Sequence, residues 1–210
     1  MAHRNLLGLV ARYPAAGTVK TRLAKDIGCF AACRVYRILA ERIIAETGPA
    51  AGSYDRIIFY SSPGASEDKV REWLPGERLV PQKGADIGQI MENALGEMFD
   101  DGAGKAIIAG VDVPGLNRHI VDLAFKELES ADIVIGPATD GGYYLVGMKT
   151  PVPGVFRGMP WGTSRVFGET LRVTGGLGLT VATVASMRDV DTLDDLLKAA
   201  DMYPAFFRGM

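Results

Sequence analysis

Short apolar runs alternate with longer segments of helical periodicity along most of this chain, and this alternation restricts its fold more than any other feature. Such a rhythm is typical of βα units that build a mostly parallel sheet covered by helices. The predicted strands span residues 6–11, 56–60, 105–109, 133–135, 143–148 and 179–184. The predicted helices span residues 21–47, 66–74, 86–99, 117–129, 164–173 and 193–203.

The second half of the chain departs from this rhythm. The predicted strand 143–148 follows a Gly-Gly turn instead of a helix, so we expect part of the sheet to be antiparallel. Strand 105–109 is expected near the centre of the sheet because four of its five residues are apolar. Repeats, low-complexity segments and linkers are absent from the sequence, so residues 1–210 are predicted to form a single domain.

Composition excludes several classes of protein. The 23 basic and 25 acidic residues give a net charge of −2, so we expect no nucleic-acid partner. The N-terminal apolar stretch 6–10 is too short for a signal peptide, and no apolar run approaches the roughly 20 residues of a membrane span. Cys29 and Cys33 lie four apart in a predicted helix, where we expect small buried residues and no disulfide or zinc site. A cytoplasmic location is predicted.

Ligands of open α/β sheets bind beyond the carboxyl ends of the strands, so the polar residues after each predicted strand are the candidate site. After the first strand come Arg12, the small residues around Gly17, and then Lys20 and Arg22. These cations and loop amides favour phosphate binding, whereas the alternative is an ordinary turn with solvated cations. The loop is not a Walker A motif, because Val19 stands where that motif has glycine.

Two further groups follow later strands. Asp112 comes directly after strand 105–109 and before Pro114, which we expect to start the next helix. This carboxylate is well placed to hold Mg²⁺ or Mn²⁺ against phosphates, or alternatively it caps that helix. Asp140 precedes Gly141 and Gly142, which allow a ligand to approach the backbone closely; the alternative is a simple Asp-Gly turn.

The fourth group lies before the last predicted helix. Thr192 is expected to be the N-cap of this helix, with Asp195 three residues later to complete a capping box. This leaves Asp189 and Asp191 on the preceding predicted strand, where either carboxylate can face the site as a second metal ligand.

Taken together, the motifs resemble the GT-A type nucleotide-diphospho-sugar transferase superfamily. The most similar branch is a bacterial glycosyltransferase-like family that is related to the 2-phospholactate and molybdenum-cofactor guanylyltransferases. The resemblance covers nearly the whole chain in the right order and rests on residues 12–23, 82–88, 110–114, 137–144, 161–163 and 189–196. It implies a Rossmann-like, three-layer α/β/α fold of GT-A type with a mostly parallel mixed sheet.

The same resemblance implies roles for individual residues. Asp112 would bind Mg²⁺ or Mn²⁺ with Asp191 or Asp140 as second ligand, Lys20 and Arg22 would offset phosphate charge, and Asp140 could instead act as general base. The implied nucleotide-binding residues are Arg12, Gly17, Lys20, Arg22, Gly84, Asp86, Gly88 and Asp112. The implied acceptor-binding residues are Gly141, Gly142, Tyr144, Trp161 and Thr163, although Tyr144 and Trp161 also suit a hydrophobic core.

The resemblance predicts a metal-dependent transferase that moves a glycosyl group from a nucleotide-diphospho-sugar to an acceptor. One alternative is a nucleotidylyltransferase, which joins a nucleoside monophosphate to a phosphorylated acceptor and releases pyrophosphate. A third hypothesis, ranked below both, is a nucleotide-binding regulator without catalysis. The partners are therefore small molecules, and a homodimer is left open.

Overall fold

In the computed structural model, which describes residues 4–208, the sheet has seven strands in the order β3-β2-β1-β4-β6-β5-β7. The strands are β1 (Arg4–Arg12), β2 (Asp55–Ser61), β3 (Leu79–Pro81), β4 (Ala103–Gly110), β5 (Ile133–Pro137), β6 (Tyr143–Met148) and β7 (Val181–Thr183). The helices are α1 (Ala24–Ile27), α2 (Cys29–Glu46), α3 (Glu67–Trp73), α4 (Ile87–Asp100), α5 (Arg118–Glu127), α6 (Val166–Gly176), α7 (Leu193–Met202) and α8 (Pro204–Phe207).

Only β6 runs against its neighbours among these strands. It pairs antiparallel with both β4 and β5, whereas β1 pairs parallel with β2 and β4. The predicted mixed, mostly parallel sheet is therefore confirmed, and so is the central place of β4. The antiparallel turn arises where a Gly-Gly pair replaces the crossover helix that a parallel connection needs.

Helices cover both faces of the sheet. Along β1, Leu7 and Leu9 pack in one hydrophobic cluster with α2 and α5, while Leu6 packs in a second cluster with α4. The side-chain period of two in a strand produces this division. Residues of both clusters are almost completely buried, which confirms the expected three-layer arrangement.

The long helix predicted over residues 21–47 is wrong in its first part. Gly28 adopts a φ of +82°, a left-handed conformation that interrupts the helix between α1 and α2. The break turns the start of α2 outward, so Phe30 is 85% exposed. Cys29 is also exposed, contrary to the burial expected for it. Cys33 is half-buried.

Several short elements were not predicted from the sequence. These are the three-residue strand β3, the four-residue helix α8 and a 3₁₀ turn at Pro153–Val155. Pro114 forms a turn and does not start α5, whose N-cap is Asn117. No helix among residues 4–208 combines the length and the apolar character needed to cross a membrane.

The strand order places the site. From β1 the chain first adds β2 and β3 on one side of the sheet and then crosses to β4 on the other side. Where the strand order reverses in this way, a crevice opens between the carboxyl ends of β1 and β4. The candidate residues of the loops after β1, β4 and β5 all lie at this edge of the sheet.

Candidate functional site

Two adjoining cavities open at the carboxyl ends of β1 and β4. The β1 cavity, of about 580 Å³, is lined by residues of the loop after β1 and of the start of α4, including Arg12, Lys20 and Asp86. The β6 cavity, of about 390 Å³, is lined by the ends of β4 and β6 and by Trp161. The residues shared by both cavities are Val10, Arg22, Tyr36, Ile87, Asp112 and Asp191.

Lys20 lies where the two cavities meet. Its Nζ donates to Asp112 Oδ2 at 2.8 Å and to Asp191 Oδ1 at 2.7 Å, and its side chain is only 6% exposed. Burial by itself would lower the pKa of Lys20, but the two carboxylates outweigh this effect and hold that pKa above its ordinary value. One ammonium group thus joins Asp112 and Asp191, which lie 92 and 171 positions after Lys20 in the chain.

The backbone at Lys20 is strained. Its φ is +46°, and among residues 4–208 it is the single non-glycine residue with a positive φ. A left-handed conformation costs an L-residue about 1 to 2 kcal/mol and persists where surrounding contacts enforce it. Here Val19 is buried in the core, Thr18 bonds back to Ala15, and the Lys20 ammonium is held by its two carboxylates.

Asp112 and Asp191 are brought together by backbone contacts as well as by Lys20. Val190 N donates to Asp112 O at 3.0 Å, which ties the segment before α7 to the end of β4. A side chain at Gly110 would crowd Asp112 Oδ1, so the glycine leaves room for that carboxylate. Because Asn117 accepts from Ile120 N and caps α5, the alternative role of Asp112 as a helix cap is excluded.

The segment before α7 differs from the prediction. Asp189 and Asp191 do not lie on a strand, since β7 ends at Thr183 and only Met187 of the connecting segment forms a bridge. The loop nevertheless carries both side chains to the edge of the β6 cavity. The predicted capping box of Thr192 and Asp195 is confirmed.

Negative charge is concentrated at this edge. Burial, and then the charges of Asp112, Asp191 and Asp140, raise the pKa of Asp189 to about 6. Even so, no three His, Cys, Asp or Glu side chains within residues 4–208 come together as a ready-made metal site. The arrangement is instead one of two carboxylates on one cation, with further acidic side chains nearby.

The other residues of the loop after β1 divide by position. Arg22 lines both cavities, is 69% exposed, and has its Nη1 3.6 Å from Asp191 Oδ2. Arg12 lines the β1 cavity and donates to Thr18 O. Gly17, at a φ of +82°, is exposed and lines neither cavity; it shapes the turn.

The segment before α4 has mainly structural contacts. Asp86 caps α4 by accepting from Gln89 N at 2.9 Å, and it also lines the β1 cavity. Gly84 has a φ of +138° and lies too close to Gln89 for any side chain. Gly88 is buried and packs against the Trp161 indole, and it does not line either cavity.

The Asp-Gly-Gly turn lies on the wall of the β6 cavity. Asp140 is exposed, and its Oδ1 accepts from Gly142 N at 2.8 Å, so the side chain braces its own turn. Gly141 has a φ of +91° and packs directly on the Ser164 backbone. Asp140 and Gly142 line the cavity, so the turn combines a local structural role with a cavity-facing carboxylate.

The aromatic residues at this cavity have different environments. Tyr144 is buried, and its hydroxyl donates to Ala185 O at 2.8 Å, as is typical of a core tyrosine. Trp161 is half-buried and contacts Tyr143 edge-on, with ring centroids 6.1 Å apart. Thr163 lines the cavity and donates to Pro160 O.

One cavity residue, Ser61, was missed from the sequence, whereas Tyr143 and Gln82 lie within the motif segments 137–144 and 82–88. Ser61 Oγ and Tyr143 Oη are buried without a hydrogen-bond partner in the described part of the chain, in the β1 and β6 cavities respectively. Gln82 donates from Nε2 to Ala11 O and Phe59 O, both at 2.9 Å, and so joins the ends of β1 and β2. Ser61 ends β2, and its place at a strand end is the sequence signal that could have revealed it.

The chain matches one described protein family. The family described as "Uncharacterized protein conserved in bacteria (DUF2064)" matches residues 44–163, which is more than half of the chain. The chain belongs to this family. No functionally curated protein shows significant sequence similarity to this DUF2064 protein.

Solved structures give the same fold. A protein from Desulfovibrio desulfuricans G20, named as a candidate nucleotide-diphospho-sugar transferase, is 31% identical, with a TM-score of 0.88 over 99% of this chain and 89% of that chain. CMP:2-keto-3-deoxy-manno-octonic acid synthetase in complex with CTP is 13% identical, with a TM-score of 0.57 over 96% of this chain and 99% of that one.

A third structure is Rv0371c from Mycobacterium tuberculosis H37Rv in complex with manganese. It is 16% identical, with a TM-score of 0.55 over 93% of this chain and 98% of that chain. The comparisons confirm the expected superfamily and fold and support the expected class of enzyme, a transferase.

Proposed function

We propose that this DUF2064 protein is a metal-dependent transferase that moves a glycosyl group from a nucleotide-diphospho-sugar to an acceptor. The observation that carries the proposal is the contact of Lys20 with both Asp112 and Asp191, at the boundary of two cavities. A group-transfer enzyme needs a donor pocket and an acceptor pocket that meet at the reacting atoms. The 31% identical relative with a transferase name supports this choice among the reactions of the fold.

The β1 cavity is suited to the donor. Its volume of about 580 Å³ lies within the usual range for small-molecule pockets. Arg12, Lys20 and Arg22 supply three positive charges around it, and the start of α4, whose N-terminus favours anions, lines it. These groups would bind the phosphates and hold the donor in register with the second cavity.

The residues at the boundary fit a divalent cation. Two carboxylate oxygens from Asp112 and Asp191 already converge on one positive charge. Mg²⁺ is commonly held by one or two carboxylates together with substrate phosphates. Within residues 4–208 no third carboxylate completes this cluster, and such a site does not need one. When bound, the cation would supply Lewis-acid stabilisation to the departing nucleoside diphosphate. The manganese complex of Rv0371c is consistent with this proposal.

The β6 cavity would receive the sugar and the acceptor. Trp161 and Thr163 form one wall, and the turn at Asp140 and Gly142 forms another. Asp140 is exposed and sits beside the shared boundary, where its carboxylate would accept the proton of an acceptor hydroxyl. Tyr144 supports the cavity from the core.

Nucleotidyl transfer is the second candidate, favoured by the shared fold of the CTP-bound synthetase. It would use the same cations and carboxylates but would release pyrophosphate. A non-catalytic regulator is ranked below both, since a cavity-facing carboxylate such as Asp140 is not needed for nucleotide binding alone.

A single assay separates these functions. The protein is incubated with a panel of sugar nucleotides and, separately, of nucleoside triphosphates, each with Mn²⁺ and candidate phosphorylated and hydroxyl acceptors. We expect release of nucleoside diphosphate from a sugar nucleotide; pyrophosphate release would overturn the glycosyltransferase proposal, and binding without turnover would favour the regulator.

A matched pair of variants tests the metal assignment. Asp112→Asn should weaken the Mn²⁺ dependence of donor binding by about tenfold or more, because it removes one of two anionic ligands. Asp194→Asn is the control, since Asp194 is exposed on α7 and pairs with Lys198. Equal Mn²⁺ dependence in the Asp112→Asn variant and the wild type would show that the ligand is elsewhere.

A further inference from the structure

Lys20 occupies an unusual position for a phosphate-binding lysine. Its ammonium is held between Asp112 Oδ2 and Asp191 Oδ1, with 6% of the side chain exposed, whereas the Arg22 side chain is 69% exposed. We propose that Lys20 is a placeholder cation: it occupies the position that the divalent cation takes, and the two exchange when the donor binds. This inference rests on the proposed function.

The exchange follows from charge and space. Both oxygens lie within 2.8 Å of the same nitrogen, so a metal ion held by Asp112 and Asp191 through these oxygens would have to take the place of the ammonium. A divalent ion beside an ammonium group would meet strong repulsion at such distances. Lys20 therefore keeps the two carboxylates together in the metal-free protein and, for the same reason, competes with the metal.

The structure also provides a destination for the displaced side chain. Lys20 already lines the β1 cavity, together with Arg12 and Arg22, where donor phosphates would offer new acceptors. The strained backbone at Lys20, with its φ of +46°, is held by contacts that include the two ion pairs, so their loss frees the residue to move. A lysine ammonium on its flexible stem can make this change.

Donor and metal should therefore reinforce each other's binding. When the donor phosphates bind Lys20, the two carboxylates become free for the metal. When the metal binds the two carboxylates, Lys20 becomes free for the phosphates. Without a donor the metal must displace Lys20 unaided. The wild-type protein alone should then bind Mn²⁺ weakly.

The test measures Mn²⁺ binding without nucleotide, by the electron paramagnetic resonance signal of free Mn²⁺. Lys20→Met keeps an unbranched side chain of similar length but removes the charge, so it should bind Mn²⁺ at least about tenfold more tightly than the wild type. Lys149→Met is the control, because Lys149 pairs with Asp132 at the opposite edge of the sheet and should leave affinity unchanged.

The outcomes distinguish the inference from the proposed function. If Lys20→Met binds Mn²⁺ no more tightly than the wild type while donor binding by the wild type remains Mn²⁺-dependent, the placeholder role is overturned and the transferase proposal stands. If Mn²⁺ binds neither protein, with or without donor, both are overturned.

A second measurement uses the wild-type protein and does not depend on the folding of a variant. Reductive methylation, followed by mass spectrometry, reports the accessibility of each lysine amine. Mn²⁺ alone, at saturating concentration, should increase the labelling of Lys20 severalfold, because the ammonium leaves its buried position, and should leave Lys149 unchanged. Unchanged labelling of Lys20 would contradict the exchange.

Discussion

Replacing Gly88 with alanine tests how the β6 cavity acquires its tryptophan wall. A Cβ atom at this position would lie 2.5 Å from Trp161 Nε1 and 2.9 Å from Phe156 O. Neither neighbour lies at the flexible end of a chain, since one is a packed indole and the other is backbone. The alanine methyl group must therefore push Trp161 away from α4 and into the cavity that it lines.

The expected cost combines two opposing effects. Overpacking of a well-filled site costs about 1 to 3 kcal/mol. Alanine gains up to about 1 kcal/mol over glycine in a helix interior, but less at Gly88, which lies in the first turn of α4. We therefore expect Gly88→Ala to lower the free energy of unfolding by about 1 to 2 kcal/mol, or to lower Tm by roughly 3 to 6 °C.

The same helix offers a matched control. A Cβ atom at Gly96 would meet no atom within 4 Å outside its own helix, so Gly96→Ala should raise the free energy of unfolding by about 0.5 to 1 kcal/mol. Urea unfolding, followed by circular dichroism, gives both values, and tryptophan emission reports the displacement of Trp161 only in the Gly88→Ala variant. Equal stability of the two variants, with unchanged emission, would refute the packing role of Gly88.

Three further substitutions have defined outcomes. Gly141→Ala should cost about 2 kcal/mol or more in urea unfolding, because φ is +91° and the new methyl group would overlap Ser164 O; stability equal to the wild type would show that the turn can move. Thr192→Ala should cost about 1 kcal/mol in thermal unfolding through loss of the capping box, and no change would mean that the cap is not formed in solution. Asp189→Asn should stabilise the metal-free protein at pH 7.5 by about 1 kcal/mol, a value discounted for the partial exposure of the side chain. The folded-state pKa of Asp189, about 6, lies above the ordinary 3.8, so the charged carboxylate destabilises the folded protein above pH 6 and this penalty disappears toward pH 4. The stability gained by Asp189→Asn should follow the same course. An equal gain at pH 7.5 and pH 4 would contradict this origin.

The sequence predicts the sheet well because burial imposes a pattern that is local. Buried strands such as β1 and β4 are nearly continuous apolar runs, and the change to an antiparallel strand is marked by the Gly-Gly turn before β6. Short elements such as β3 carry too few residues for any period to appear. Their existence depends on neighbouring strands that supply hydrogen bonds, which the local sequence does not show.

The break at Gly28 shows a limit of periodicity. The apolar spacing continues across residues 21–47, so the pattern predicts one helix, but a single glycine at φ +82° changes its direction. Phe30 then faces outward although it fits the apolar spacing. A glycine within a helical pattern costs little enough that sequence alone cannot decide whether the helix bends there.

The candidate site was predictable as a set of residues but not as a set of contacts. The strand-end rule brings Lys20 and Asp112 to the same edge, and the structure places them there together with Asp191. Lys20 bridges two carboxylates that lie 92 and 171 residues further along the chain. No local sequence pattern encodes a contact over such distances. In the same way, the packing of Gly88 on Trp161 joins two motifs that the sequence presents as separate.

A crystal structure of the protein with Mn²⁺ and a nucleoside diphosphate, recorded at the manganese absorption edge, would show where the metal and the phosphates bind. We expect one anomalous peak bound by Asp112 and Asp191, with the phosphates in the β1 cavity and Lys20 Nζ turned toward them. Phosphates bound away from the carboxyl ends of β1 and β4, or manganese bound without Asp112 and Asp191, would contradict this expectation.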